Sequence, residues 1–284
     1  MGLEHAHTSL AYHHIATVYD EQKDYQKAIE YYTKCLEIEI TVHGEKHSDI
    51  ALSYQNIGNL YINTGEHKKA SEQHLKCLEI YQLLYGDNHA STATSYNDLG
   101  TAEMKSGDYK KALEYLLKHI EICRSLYGEK DKNSDSSYNH VEQIYYRQGD
   151  HQKALDYLGT SLEIRKQVYG AKDAQTAAVY DSIASVYCNK GEYFKALEHY
   201  LISLEIHQSV SGEKHPEKAA SYKNIGNLYY TKRDSPKALE YHGKCLEIYK
   251  LKYEKNHIEI ATSLNILGSI YMYILLVIWQ YGIE

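Results

Sequence analysis

The sequence predicts an all-α solenoid, in which antiparallel helix hairpins stack side by side and wind into a right-handed superhelix. Three observations predict it. A glycine recurs every 42 residues, at Gly44, Gly86, Gly128, Gly170 and Gly212, with Glu254 in the sixth place. Within each period the apolar residues fall at spacings of three, four and seven, the mark of one helix face. The 284-residue chain also carries only two prolines, which suits nearly continuous helix. Periods of about 20–50 residues indicate arrays whose units bury their apolar faces only against their neighbours. The helical spacing excludes a propeller.

Counting from His5, a leader of residues 1–4 precedes six full repeats. These span 5–46, 47–88, 89–130, 131–172, 173–214 and 215–256, and a partial seventh repeat with an apolar tail covers 257–284. In the first helix of each repeat, position 8 is Tyr12, Tyr54, Tyr96, Tyr138, Tyr180, Tyr222 and then Leu264. Position 11 is apolar throughout, from Ile15 and Ile57 to Ile225 and Leu267. Position 12 is small in most repeats: Ala16, Gly58, Gly100, Ala184, Gly226 and Gly268. Position 15 is Tyr19, Tyr61, Tyr145, Tyr187, Tyr229 and Tyr271. A turn such as Gly107-Asp108 or Gly149-Asp150 follows. Position 24 is Ala in all six full repeats, from Ala28 to Ala238, and is expected to open a second helix of about 18 residues, or roughly 27 Å. The small residues at positions 12 and 24 let the two helices approach closely. Tyr suits a half-buried seam, because its ring packs while its hydroxyl reaches water.

This pattern resembles the tetratricopeptide repeat. Tyr54, Ile57, Gly58 and Tyr61 match the aromatic, Leu, Gly and Tyr of the family's first helix, and Ala70 matches its central Ala. The resemblance covers residues 5–273. The period exceeds the family's usual 34 or so residues and is similar to the kinesin light chain subgroup, with turns such as Gly212-Glu213-Lys214-His215-Pro216-Glu217. Runs such as Asn224-Ile225-Gly226-Asn227-Leu228-Tyr229 are also similar to spindle-orientation adaptors of the Pins type.

Two places depart from the pattern. In repeat 4, Glu142 stands at the small position 12, where a carboxylate crowds the hairpin unless it turns outward. Residues 130–142 are therefore a candidate soft joint; alternatively Ser134 or Asp135 caps a shortened helix. The tail runs Met272-Tyr273-Ile274-Leu275-Leu276-Val277-Ile278-Trp279, and no Asp, Glu, Lys or Arg lies between Ile260 and Ile283. Gly268, Ser269 and Gln280 interrupt it and no basic residue follows, which disfavours a membrane anchor. The expectation is a last helix packed on repeat 6, in a natural protein that is longer. A terminus foreign to the repeat is the other alternative.

Composition narrows the function. Against 31 Lys+Arg stand 38 Asp+Glu, for a net charge of −7, the wrong sign for a nucleic-acid binder. No phosphate loop, nucleophile elbow or His-Glu-x-x-His appears. The 17 His fall largely in turns, such as His47, His89, His215 and His257, so no metal site and no cofactor is expected. The chain is not expected to be an enzyme. Its N-terminus is no signal peptide. Cys35, Cys77 and Cys245 hold one equivalent position in three repeats, too far apart in a stack to pair. All five cysteines are read as reduced thiols, and a cytoplasmic location follows.

The first helices of such arrays line a concave groove. Its expected contact residues lie at positions 9, 13 and 17: Gln55, Asn59, Asn97, Lys105, Asn139, Gln143, Arg147, Lys223 and Asn227. Mid-helix Asn costs about 0.5–0.7 kcal/mol against Ala, so these amides are not there for helix stability. An amide donates and accepts at once, which suits the backbone of an extended peptide. Lys105, Arg147 and Lys223 favour acidic segments. The family's carboxylate clamp needs Asn after Lys223 and Asn227, and Ile266 breaks it. The expected function is a non-catalytic scaffold that binds protein or peptide ligands, resembling the cargo-binding part of kinesin light chain. Kinesin heavy chain as a partner is implied by the resemblance alone. The alternatives are a regulatory array or fragment of a larger signalling protein, either a Pins-like adaptor or an ATPase, and a tail-anchored membrane adaptor.

Overall fold

The computed structural model describes residues 2–211, 216–254 and 257–281. Among them are thirteen α-helices, one 3-10 turn and no strand. The chain forms two compact units, Met1–Gln148 and Gly149–Glu284. The first holds α1 (Gly2–Glu21), α2 (Tyr25–His43), α3 (Ser48–Thr64), α4 (His67–Tyr85), α5 (Ala90–Ser106), α6 (Tyr109–Tyr127), the turn Lys132–Ser134 and α7 (Asp135–Arg147). The second holds α8 (His151–Val168), α9 (Ala174–Asn189), α10 (Tyr193–Ser211), α11 (Pro216–Thr231), α12 (Ser235–Lys252) and α13 (Ile258–Tyr281). The glycine and helix spacings thus report one hairpin per period. Gly212, His215 and the last three residues lie outside the described residues.

Each helix has a polar start. The second helices begin three residues before the invariant Ala, not at it: Asp24, Asp108, Asp150 and Asp234 cap them, and Glu66 holds the same place in α4 without a side-chain cap bond. The Asp side chains accept from the N–H three residues on, at 3.1–3.3 Å, which satisfies one of the orphan donors of a helix start. The same acids pair with the following Lys, as in Lys27–Asp24 at 2.9 Å and Lys153–Asp150 at 3.1 Å. Several of those ammonium groups also sit over the position-15 ring, as Lys27 over Tyr19 at 4.9 Å and Lys237 over Tyr229 at 5.0 Å. First helices are capped by the turn histidines. Nδ1 of His47, His89 and His257 accepts from the N–H two residues on, at 3.2–3.3 Å, and Asp173 does the same at 2.8 Å. The ring of each capping His stacks on the last aromatic or His of the preceding helix: His43, Tyr85 and Tyr253. The repeat glycines join one hairpin to the next at positive φ, for example 73° at Gly44 and 99° at Gly170, a backbone region that Cβ disfavours.

The hairpin seam is built from small against large. A Cβ added to Gly58 would lie 2.6 Å from the His74 ring, one added to Gly100 2.6 Å from Leu116 Cγ, and one added to Gly226 2.8 Å from the His242 ring. Position 28 therefore supplies a knob that fills the space above position 12. Where position 12 is Ala, at Ala16 and Ala184, position 28 is Tyr. Its hydroxyl then bonds the position-13 hydroxyl: Tyr32 to Thr17 at 3.2 Å and Tyr200 to Ser185 at 3.1 Å. All six position-24 alanines are fully buried. The position-11 residues Ile57, Leu99, Val141, Ile183 and Ile225 are buried as well. Ile15 is 38% exposed.

In repeat 4, Glu142 lies inside the fold, 5% exposed. Ser134 stands at the N-cap of a shortened, 13-residue α7, without a side-chain cap bond. Asp131 caps the 3-10 turn before it, accepting from the Asn133 N–H at 2.8 Å. The tail packs on repeat 6 as expected, with Ile260 and Ile270 buried. Yet Ile258–Gln280 is one unbroken helix, long and apolar enough to cross a membrane, and only 17% of its most apolar window is buried.

Two predictions follow from this packing. Gly100→Ala gains about 1 kcal/mol of helix propensity but forces Leu116 to shift, at about 1–3 kcal/mol, so it lowers the thermal midpoint. Gly159 and Gly243 lie in helices with nothing within 4 Å of an added Cβ, so Gly159→Ala and Gly243→Ala raise it. Calorimetry on the three variants checks both signs. The second concerns acid. Burial lowers His74 and His119 from 6.5 to about 4. The unfolded chain therefore binds more protons than the folded one between those values. The stability these two residues contribute is complete above pH 6.5 and is lost as pH falls toward 4. Burial lowers His140 in the same unit too, and raises Asp98, which works in the opposite sense, one group against three. Urea midpoints of the first unit should fall across that interval, and His74→Leu should flatten the fall.

Candidate partner-binding groove

In the first unit, first helices of successive repeats pack on one another, α3 on α5 and α5 on α7. Polar bonds tie them. Gln55 Nε2 donates to Asp98 Oδ2 at 2.6 Å. Ser137 Oγ donates to Asn97 Oδ1 at 2.8 Å, and Ser136 reaches the same oxygen at 3.4 Å. Ser137 also bonds His119 Nδ1 at 2.7 Å, and the other ring nitrogen meets Cys123 Sγ at 3.2 Å. Burial raises the Asp98 pKa, and hydrogen bonds from Gln55 and Asn97 pull it back. In the second unit, burial pushes Asp181, at position 9 on α9, up to about 6, and its Oδ1 has no hydrogen-bond partner there.

The nine expected contact residues therefore divide. Gln55 and Asn97 face the neighbouring repeat and spend their amides there. Asn139, Gln143 and Lys223 are half-buried, whereas Asn59, Lys105, Arg147 and Asn227 are exposed. The accessible polar row in the first unit runs through positions 13 and 17, one turn along from position 9. Lys105 and Arg147 are one period apart on α5 and α7 and both reach solvent. Asp98, His140 and Asn224, at position 10, were not among the expected residues. Position 10 is polar in all six full repeats, namely His14, Asn56, Asp98, His140, Ser182 and Asn224. It lies 100° further round the helix, and in these helices that direction faces the preceding repeat, as Asp98 meets Gln55 and His140 meets Thr101.

Clefts open where three helices meet. One of about 430 Å³ lies among α1, α2 and α3, lined by Ser9, Leu10, His13, Glu39, Leu52 and others. Its floor is the Glu39 carboxylate, which accepts from Ser9 at 3.2 Å and Ser53 at 2.7 Å. The equivalent cleft two repeats on holds about 270 Å³ beside Asn97 and His119. A second kind of cleft lies between second helices. Two of these, about 310 and 480 Å³, share a lining displaced by one period: Tyr54 and Tyr96, Lys76 and Lys118, Ile80 and Ile122. In each, the Lys ammonium lies over the Tyr ring, at 5.1 and 5.3 Å.

None of these groups has the environment of an activated nucleophile. Burial raises the thiols of Cys35 and Cys123 to about 11 and of Cys77 to about 12, where they stay protonated. One grouping of metal-ligand types occurs among the described residues, His43, His47 and Asp49, with ligand atoms within 4.8 Å of one another. His47 Nδ1 already caps α3 there.

Known proteins place this architecture. No curated protein sequence matches the chain. Solved structures do. BtubC (BKLC) from P. vanneervenii is 18% identical with a TM-score of 0.67, over 83% of this chain and 92% of that one. A structure of nearly identical TPR-like repeats from a Podospora anserina kinesin light chain candidate is 19% identical with a TM-score of 0.66, over 74% of this chain and all of that one. A signal transduction ATPase with numerous domains, carrying a tetratricopeptide repeat sensor, from Pyrococcus horikoshii is 19% identical with a TM-score of 0.71, over 93% of this chain and 39% of that one. At these identities the likeness is one of fold. The tetratricopeptide repeat profile matches residues 7–82, 48–125, 96–167, 136–188 and 175–251, and the chain belongs to the tetratricopeptide repeat family.

Proposed function

We propose that the exposed polar row of the first helices binds a partner segment with acidic character, in the manner of a cargo-binding scaffold. Repeat proteins of this family are generally non-catalytic interaction scaffolds. The observation that carries the finer reading is the division of labour at positions 9, 10, 13 and 17. Side chains at 9 and 10 hold adjacent first helices in register, which leaves Asn59, Gln143, Lys105 and Arg147 on a surface already fixed by the fold. A preformed polar surface loses little entropy on binding. Amides at one-repeat spacing suit a peptide backbone, and the two cations one repeat apart suit a carboxylate-bearing segment. The likeness to kinesin light chain repeats supports acidic, Trp-containing cargo peptides as the first ligands to try; the kinesin heavy chain is a partner by the same resemblance only. Free, buried thiols fit a cytoplasmic scaffold.

The test is fluorescence anisotropy with an acidic, Trp-containing peptide and the full chain. Lys105→Ala/Arg147→Ala should weaken binding at least tenfold and flatten its salt dependence, with an unchanged thermal midpoint. Asn59→Ala should weaken it less. Gln55→Ala should instead lower stability, because it removes a donor from buried Asp98. Equal affinity for the wild type and the double variant removes the groove from the account.

A further inference from the structure

The α13 helix carries an unfilled copy of the hairpin seam. In repeats 2, 3 and 6 the glycine at position 12 is pressed by a knob from the second helix, within 2.6–2.8 Å of where a Cβ would stand. Gly268 holds the same position in α13, and nothing lies within 4 Å of its Cβ direction. Leu264 and Tyr271, at positions 8 and 15, are 50% and 57% exposed, although their counterparts Tyr222 and Tyr229 pack on Tyr241 of the second helix. The stripe continues along the same face through Met272, Leu275 and Trp279, which are 59%, 59% and 85% exposed. Five large side chains, each at least half exposed along one helix face, make an apolar patch of several hundred Å², the size at which such patches mark interaction sites and within reach of the roughly 800 Å² that one partner contributes to a standard-size interface.

Three features say what covers it. First, α13 runs straight through residues 273–276, where repeat 6 turns at 231–234. The chain therefore does not double back there to supply its own second helix as the other repeats do. Second, the opposite face of α13 is already docked, with Ile260, Ser263 and Ile270 buried on repeat 6. A lipid span would strip those contacts away. Third, the helix carries no Asp, Glu, Lys or Arg from Ala261 to Tyr281, so a second such helix brings neither repulsion nor a buried unpaired charge into the seam. Paired antiparallel, the two helices also oppose their dipoles favourably. We propose that two copies of this chain dimerise through α13, each packing its exposed stripe into the other's open Gly268 groove about a two-fold axis. Each copy then takes the place that the second helix holds in the other repeats. Such an isologous contact closes on itself.

Sedimentation equilibrium of the full chain tests this, with far-UV circular dichroism on every variant. The wild type should be a discrete dimer at micromolar concentration. Leu275→Glu/Trp279→Glu alters only exposed side chains and should give a monomer of unchanged helix content. Gly268→Leu fills the groove from its own side and should raise the dimer dissociation constant at least tenfold. A wild-type monomer across that concentration range would overturn the proposal. So would open-ended head-to-tail polymers, or a dimer that both variants leave intact. Flotation with phosphatidylcholine vesicles separates the lipid outcome: wild-type chain that floats, with the Glu variant left behind, also overturns it.

Discussion

The close approach of the two helices within each hairpin is the constraint on which the rest depends. A glycine or alanine at position 12 leaves room for one side chain from position 28, and that side chain is chosen to fit: His74, Leu116 or His242 over glycine, Tyr32 or Tyr200 beside alanine. With the second Ala buried one turn into the facing helix, the hairpin has one depth and one register. Every repeat then presents the same apolar edges to its neighbours, which is what lets a 42-residue unit that cannot stand alone build a core by stacking. The capping acids and their lysines recur just as faithfully, but they are solvent-exposed pairs, which contribute little to stability. Methylene-scale misfits in the seam exceed that, so packing sets the geometry and the charges decorate it.

The polar side chains of the first helices are shared between two tasks. Half-buried ones join adjacent repeats: Gln55 to Asp98 and Asn97 to Ser137. The Asp98 carboxylate has its proton affinity raised by burial and is kept in place by the Gln55 amide, a cost that such a bond offsets. The exposed ones, one turn on, are free of that duty and lie on a surface whose spacing is fixed by the repeat. The glutamate in repeat 4 is a further instance of a polar group taken inside, at a position that every other repeat keeps small. Position 12 in that repeat is therefore filled by chemistry unlike the rest, in the same stretch where Asp131, a 3-10 turn and a short α7 replace the usual first helix.

Much of this was legible in the chain. The period of 42, the small positions 12 and 24, the Tyr rows and the helical spacing determined hairpins, their number and their order, because repetition averages away the ambiguity of any single segment. The capped starts of the second helices were present too, in the Asp or Glu that precedes each, although the Ala four residues on drew the boundary. What one dimension did not reveal was direction. Positions 9 and 10 are adjacent in the chain, and both read as polar surface. Only stacking shows that Gln55 and Asn97 turn toward a neighbour while Lys105 and Arg147 turn to water.

The sequence by itself determined an all-helical repeat array of the tetratricopeptide family, since periodic small and apolar residues admit few other packings. Tertiary structure decided which polar groups are spent on the array and which remain for a partner, that Glu142 lies inside, and that the last helix keeps an open seam. Those outcomes depend on which face of each helix meets another, a property of the packed repeats that no local spacing encodes.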